Sequence, residues 1–262
     1  MRRPWRKYLA DAKVAYEKED FPHAEKLLLD ALRAARDLRP HHRDRIQCVE
    51  DLAMLYRAQS LADGSQSKRK LARQLYESTL EVVQSARGPE HPSVAERLVM
   101  LAVSFCEDNP EEAGQLLRRA MRIYQTAYGL YDGRVVMTYI FLGQNEARLR
   151  RFDRAEARLK QAVELAEKLQ SGGSWFLATA LKNLGGLYYG LERFVDAEKA
   201  FREVLASEER EYGMESQQLM DALECLGRAL RRQGRTREAE AVFLRSRDIG
   251  LREVWGQDPK KW

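Results

Sequence analysis

Four histidines, three cysteines and a large supply of arginine are the raw material for chemistry in this 262-residue chain. A protein metal site needs three or four His, Cys or carboxylate ligands brought onto one point, usually at short regular spacings. His41 and His42 are adjacent, and neighbouring residues on a helix do not share a face. Cys48, Cys106 and Cys225 have no short ligand spacing. No metal and no cofactor is expected. The chain has no glycine-rich phosphate loop, no Gly-x-Ser-x-Gly elbow and no His-Glu-x-x-His pair, which are the local signatures of phosphate binding, acyl transfer and metal-assisted hydrolysis. Catalysis is not expected either. Arginine is the stronger signal, because its planar fork of donors suits carboxylates and phosphates. Arg148, Arg150, Arg151 and Arg154 are followed in register by Arg231, Arg232, Arg235 and Arg237. Such an edge could meet nucleic acid, but Asp153, Glu156, Glu238 and Glu240 interleave with it and few aromatics accompany it for base stacking. A protein or peptide partner is the leading expectation, with nucleic acid as the alternative.

Composition narrows the setting. The chain is 44% hydrophobic and 32% charged with a net charge of +5, so it can bury a core and suits thin helical layers whose outer faces meet water. The odd number of unpatterned cysteines suggests reduced thiols of an intracellular protein. The opening Met1-Arg2-Arg3-Pro4-Trp5-Arg6-Lys7 leads directly into an amphipathic pattern, without the apolar segment of a signal peptide. No apolar run approaches the roughly 18 residues of a membrane span. A cytoplasmic protein with no membrane association is expected.

The elements that must position the arginines follow a repeat. Ala24, Ala72, Ala113, Ala155, Ala197 and Ala239 are anchors that recur every 41 to 48 residues, each followed four places on by a large residue. A fixed period of this size marks a solenoid, in which each unit packs mainly on its neighbours. The fifth unit is clearest. Leu181, Leu184, Gly185 and Tyr188 form one helical stripe, and Phe194, Ala197, Phe201 and Val204 form a second; the short polar Gly190–Arg193 turn between them makes the two helices antiparallel neighbours. Gly185 and Ala197 are small where the axes approach. Gly88, Gly129, Gly172, Gly213 and Gly256 form a second series at 41 to 43 residues, and are expected in the left-handed conformation that ends a helix. The second unit carries extra residues around Gln59–Lys70, and Gly64, Ser65 and Ser67 among charges predict an enlarged or disordered turn near Ala62–Lys70.

The pattern Leu184-Gly185-x-x-Tyr188 followed by Ala197-x-x-x-Phe201 resembles the tetratricopeptide repeat. The period of about 42, the linker Gly88-Pro89-Glu90-His91-Pro92-Ser93-Val94 and the Ala-Glu pairs at Ala24, Ala155, Ala197 and Ala239 resemble the kinesin light chain type of that repeat. Gly129-Leu130-Tyr131-Asp132-Gly133-Arg134-Val135 is a degraded copy of the linker, and His91 is expected to cap or pack there. The resemblance implies an all-α, right-handed solenoid of six helix-turn-helix repeats. Its units run at about 4–40, 43–88, 92–129, 132–172, 174–213 and 216–256 in one superhelix, with a short tail at 257–262. Because the usual unit is about 34 residues, both helices should be longer than usual.

In such arrays the first helix of each repeat lines an inner wall, and the resemblance places specific residues on it. Arg6, Lys13 and Tyr16 fall there in the first unit, Gln47, Glu50, Asp51, Met54 and Arg57 in the second. Met100, Met137, Ile140 and Phe141 make an apolar middle; Lys182, Asn183 and Tyr189 follow, and Arg228, Arg231 and Arg232 make a basic end. Kinesin light chains bind acidic peptides with an aromatic anchor, and Asn183 matches that family's Asn-Leu motif. The expected function is that of a non-catalytic scaffold or adaptor whose concave groove binds a peptide with an apolar anchor and acidic flanks. Trp255-Gly256-Gln257-Asp258-Pro259 reads as the start of another linker. An apolar end face near Val242, Leu244 and Ile249 is therefore expected, with Trp262 folding over it and self-association through the last repeat.

Overall fold

The computed structural model describes residues 4–169 and 172–255. Among them are twelve α-helices and no strand: α1 (Pro4–Glu17), α2 (Phe21–Ala34), α3 (Arg43–Asp63), α4 (Gln66–Arg87), α5 (Pro92–Phe105), α6 (Pro110–Tyr128), α7 (Gly133–Arg148), α8 (Phe152–Glu167), α9 (Gly173–Gly190), α10 (Phe194–Tyr212), α11 (Leu219–Arg232) and α12 (Thr236–Trp255). They alternate as the first and second helices of six repeats. The chain divides into two compact units, one ending at Ala127 and one beginning at Tyr128. In the first, α1 packs on α2, α3 on α4, and the hairpins join through α2 on α3 and α4 on α5. In the second, α7 packs on α8, α9 on α10 and α11 on α12, joined through α8 on α9 and α10 on α11.

All six anchor alanines are buried, none more than 1% exposed. The reason is visible on the facing helix. A Cβ added at Gly143 would lie 2.6 Å from Leu159, one at Gly185 would lie 2.7 Å from Phe201, and one at Gly227 would lie 2.5 Å from Phe243. In each hairpin of the second unit the large residue four places after the anchor therefore fills the notch left by a glycine. Close-packed interiors leave no room for even one more methyl group there.

Four of the six turns inside the hairpins share one geometry. Glu19, Arg150, Glu192 and Gly234 all have positive φ, between 55° and 79°, and each precedes its anchor alanine by five residues. The amide of the next residue closes back on the helix: Asp20 on the Ala15 carbonyl, Arg151 on Glu146, Arg193 on Tyr188 and Arg235 on Leu230, at 2.9–3.1 Å. This is the Schellman arrangement, which satisfies carbonyls the helix end would leave open. Of these four turns, the last uses glycine.

Between hairpins, helix starts depend on the linker. His91 caps α5, its Nδ1 accepting from the Ser93 amide at 3.1 Å. In the degraded copy Asp132 takes the same role, accepting from the Arg134 amide at 2.9 Å. The linkers that have lost both residues start α9 and α11 with no side-chain cap. Gly88 and Gly213 do have positive φ, but with ψ of 157° and 164°. They are extended rather than left-handed, in a region essentially closed to other residues. Gly172 is left-handed, with φ 69° and ψ 11°, but it stands directly before the start of α9. Gly256 and Trp262 lie outside the described residues.

Two further expectations are corrected. The extra residues of the second repeat do not enlarge a turn. They lengthen the helices to 21 and 22 residues, and the turn is only Gly64 and Ser65. Gly64 ends α3 in the left-handed conformation, and the Ser65 hydroxyl caps α4 by accepting from the Lys68 amide at 3.4 Å. At the other end, Ile249 is 5% exposed and packs with Leu219 and Leu223; of the three apolar residues expected on an open end face, only Leu244 is exposed.

The Ala-Glu pairs have a structural role that joins repeats. The Glu25 carboxylate accepts from the Tyr56 hydroxyl on α3 at 2.9 Å. Glu156 accepts from Tyr188 on α9 at 3.0 Å and from Arg193 at 2.6 Å. Glu198 accepts from Gln233 at 2.8 Å and Arg235 at 2.7 Å. Each carboxylate thus ties a second helix to the repeat that follows.

Candidate functional site

The second unit carries nine of the ten residues expected at the site. Met137, Ile140 and Phe141 stand on α7, Lys182, Asn183 and Tyr189 on α9, and Arg228, Arg231 and Arg232 on α11. Met100, on α5, belongs to the first unit and is half-buried there. Met137 and Phe141 are half-buried and keep an accessible edge. Ile140 does not: it is 1% exposed, and its position on α7, a helix packed against both α8 and α9, makes it core rather than wall.

A hydrogen-bonded amide pair links the first helices of adjacent repeats. Gln144 Nε2 donates to Asn183 Oδ1 at 2.6 Å, and Asn183 Nδ2 donates to the Thr179 carbonyl at 2.8 Å. The pair sits beside Phe141 and Met137 along α7. Among the described contacts, the Gln144 carbonyl oxygen and the second amide hydrogen of Asn183 take part in no further hydrogen bond.

The basic residues differ in how free they are. Lys182 is not a free cation. Its Nζ lies 3.0 Å from Glu208 on α10 and 3.1 Å from Asp221 on α11. Burial disfavours its charge, but the two carboxylates outweigh that and hold its pKa above the ordinary value. It is a tie between three helices. Arg228 is 61% exposed and, among the described residues, pairs with Glu224, one turn away at 2.8 Å, a surface pair of little strength. Arg231 lies 4.8 Å over the Phe243 ring. Arg232 lies 4.6 Å over Phe194 and 5.9 Å from Tyr189, with Glu192 at 3.4 Å. Tyr189 meets Phe194 edge-on at 5.4 Å, so this end is a stacked aromatic and guanidinium surface.

Two residues of the arginine edge are also engaged: Arg151 faces Glu146 at 3.7 Å, and Arg235 is clamped by Glu198 and Glu238. At these two positions a phosphate would have to displace carboxylates, whereas Arg148, Arg150, Arg154 and Arg237 are exposed. Among the described residues no group of three or more His, Cys, Asp or Glu side chains is placed to hold a metal ion. No helix among them is long and apolar enough to cross a membrane.

An apolar cavity lies elsewhere, in the first unit. About 540 Å³ is enclosed by α1, α2 and α3, with Leu9, Ala12, Tyr16, Leu28, Asp51 and Met54 in its lining. The wall positions Tyr16, Asp51 and Met54 were legible in the repeat register. That they enclose a cavity depends also on Leu9, which the sequence pattern leaves unplaced, and on Leu28, which it assigns to packing.

The tetratricopeptide repeat family profile matches residues 102–168 and 176–251, more than half of the chain. Curated proteins offer no sequence match. Among solved structures, BtubC (BKLC) from P. vanneervenii is 22% identical, with a TM-score of 0.73 over 92% of this chain and 95% of its own. A Podospora anserina kinesin light chain protein with nearly identical tetratricopeptide-like repeats is 18% identical, with a TM-score of 0.65 over 84% of this chain and 100% of its own. A Rap protein complexed with Competence and Sporulation Factor is 18% identical, with a TM-score of 0.59 over 94% and 76%. These likenesses concern the fold. With the profile match and the buried anchor alanines of all six hairpins, they lead to one conclusion: the chain belongs to the tetratricopeptide repeat family and is built on repeats resembling the kinesin light chain type.

Proposed function

We propose that the chain is a non-catalytic scaffold that binds a protein partner through the first helices of its second unit. The ligand is a peptide segment with one bulky apolar residue flanked by Asp or Glu. Its apolar residue rests against Met137 and Phe141, its backbone pairs with Gln144 and Asn183, and its carboxylates reach Arg228, Arg231 and Arg232. The observation that carries this reading is the Gln144–Asn183 hydrogen bond. It holds two side-chain amides with spare donor and acceptor capacity between an apolar edge and exposed guanidinium groups. The Rap structure described with a bound factor lends the fold a precedent for holding a ligand.

The energetics suit a reversible contact. Burying one large side chain gives about 2–3 kcal/mol, and each charge-assisted hydrogen bond about 1.5 kcal/mol or more. Ordering the peptide offsets part of this, so affinity falls in the micromolar range. The test is titration of full-length protein, labelled at Met methyl groups, with twelve-residue peptides carrying one Trp or Leu among Asp and Glu. The expected result is a shift of the Met137 methyl and of the Asn183 side-chain amide. Shifts confined to other residues, or none at millimolar peptide, would overturn the proposal.

A further inference from the structure

The cavity in the first unit has a chemistry opposite to that of the second-unit surface. Its floor is apolar: Ala12 and Leu28 are no more than 4% exposed and Leu9 is half-buried. Its rim keeps Met54, a large flexible apolar side chain left 45% exposed, the kind of residue that adapts to varied ligands. A volume of about 540 Å³ lies within the roughly 300–1,000 Å³ of ligand-holding clefts and has room for a bulky side chain and its neighbour.

Asp51 supplies the charge. It is half-buried and lines the cavity, and the hydrogen bond it receives is a neutral one, from Gln47 Nε2 at 2.7 Å. No cation of the first unit is paired with it among the described contacts. Lys13, across the cavity on α1, is drawn to Glu17 at 3.9 Å instead. Burial pushes the Asp51 carboxyl up from its ordinary value, which is the response of an acid lacking an opposite charge. An apolar cleft with one uncompensated carboxylate at its wall is complementary to an apolar group that carries a cation beside it.

We infer that this cavity is a second docking site, for a partner-protein segment in which a bulky apolar side chain stands next to Arg or Lys. The apolar side chain fills the space between Leu9, Leu28 and Met54, and the cation pairs with Asp51. Exposed Lys13, Glu17 and Gln47 border the mouth and meet the flanking residues of the segment. The site goes beyond the second-unit reading and does not depend on it.

The test uses three ten-residue peptides identical except at one position, with a Leu-Phe pair followed by Arg, Gln or Glu, titrated calorimetrically into the full chain. The Arg peptide is expected to bind at least about tenfold more tightly than the Gln peptide, and the Glu peptide most weakly. Asp51→Asn keeps the shape and hydrogen-bonding size of the side chain, and should reduce the preference for Arg to less than about twofold. Ala10→Phe, an exposed change at the cavity mouth, should weaken all three peptides. Arg228→Glu with Arg231→Glu should leave all three unaffected, so the two sites fail separately. Helical melting curves matching the parent's establish that each variant is folded. An Arg peptide that binds no more tightly than the Gln peptide, or a preference that survives Asp51→Asn, would overturn the inference.

Discussion

At the scale of single residues, two features make the fold's costs measurable. Arg150 and Glu192 occupy left-handed positions that in the last hairpin belong to Gly234. A side chain there costs about 1–2 kcal/mol relative to the right-handed form, and glycine avoids the clash at an entropic cost of its own. Arg150→Gly should therefore raise the unfolding free energy by about 0.5–1 kcal/mol, and Gly234→Ala should lower it by about 1 kcal/mol, both read from urea titrations. Opposite signs would mean the turns are not held as described. Glu50 is the second feature. It is 4% exposed and faces Arg97, Nε at 2.8 Å and Nη2 at 3.1 Å. Burial pushes its carboxyl from 4.5 up to about 7, against the pull of the guanidinium and with help from Glu96 and Asp51. Between those pH values the folded chain keeps a proton the unfolded chain has released, so this group's contribution to stability falls as pH rises and levels off above about 7. The stability of the parent relative to Glu50→Gln should thus decline between pH 5 and 7, by on the order of 2 kcal/mol. A flat difference across that range would contradict the assignment.

At the scale of elements, the notch-and-knob contact between paired helices is the feature on which each hairpin depends. Gly185 and Gly186 are neighbours on α9, yet a Cβ at the first meets the Phe201 ring at 2.7 Å and one at the second meets nothing within 4 Å. Gly186→Ala should stabilise by about 0.5–1 kcal/mol through helix propensity. Gly185→Ala should destabilise by about 1–3 kcal/mol through overpacking, despite the same gain in propensity. Equal melting shifts would show that the paired helices do not meet there. This contact was legible in the residues: an anchor alanine, a large residue four places on and a small residue on the partner helix define it. The turn of the second repeat was not. Gly64 and Ser65 read as part of a loop, whereas they end one helix and cap the next while the surrounding Leu61, Ala62 and Lys68–Lys70 continue the helical pattern. The linkers show a similar limit, since the loss of His-Pro is visible in sequence but the replacement of His91 by Asp132 as a cap requires the backbone.

At the scale of the molecule, the two compact units carry different side-chain chemistry, an apolar cavity beside the half-buried Asp51 carboxylate in the first and half-buried Met137 and Phe141 with exposed arginines in the second. The arginines of α11, which the register puts at the basic end of the inner wall, are exposed. Lys182 was not legible as a tie, because Glu208 and Asp221 reach it only once the next two helices, α10 and α11, have folded. Ile140 likewise satisfies the register but is enclosed by its neighbours. The central claim is that the exposed guanidinium groups of α11 recognise an acidic, apolar peptide. Arg228→Glu combined with Arg231→Glu tests it most directly, because Arg228 has only a surface pair to lose and Arg231 a single ring contact. The double variant should lower the unfolding free energy by less than about 1 kcal/mol. In titrations with the acidic Trp peptide it should weaken binding at least about a hundredfold. Undiminished binding of that peptide by the folded double variant would contradict the account.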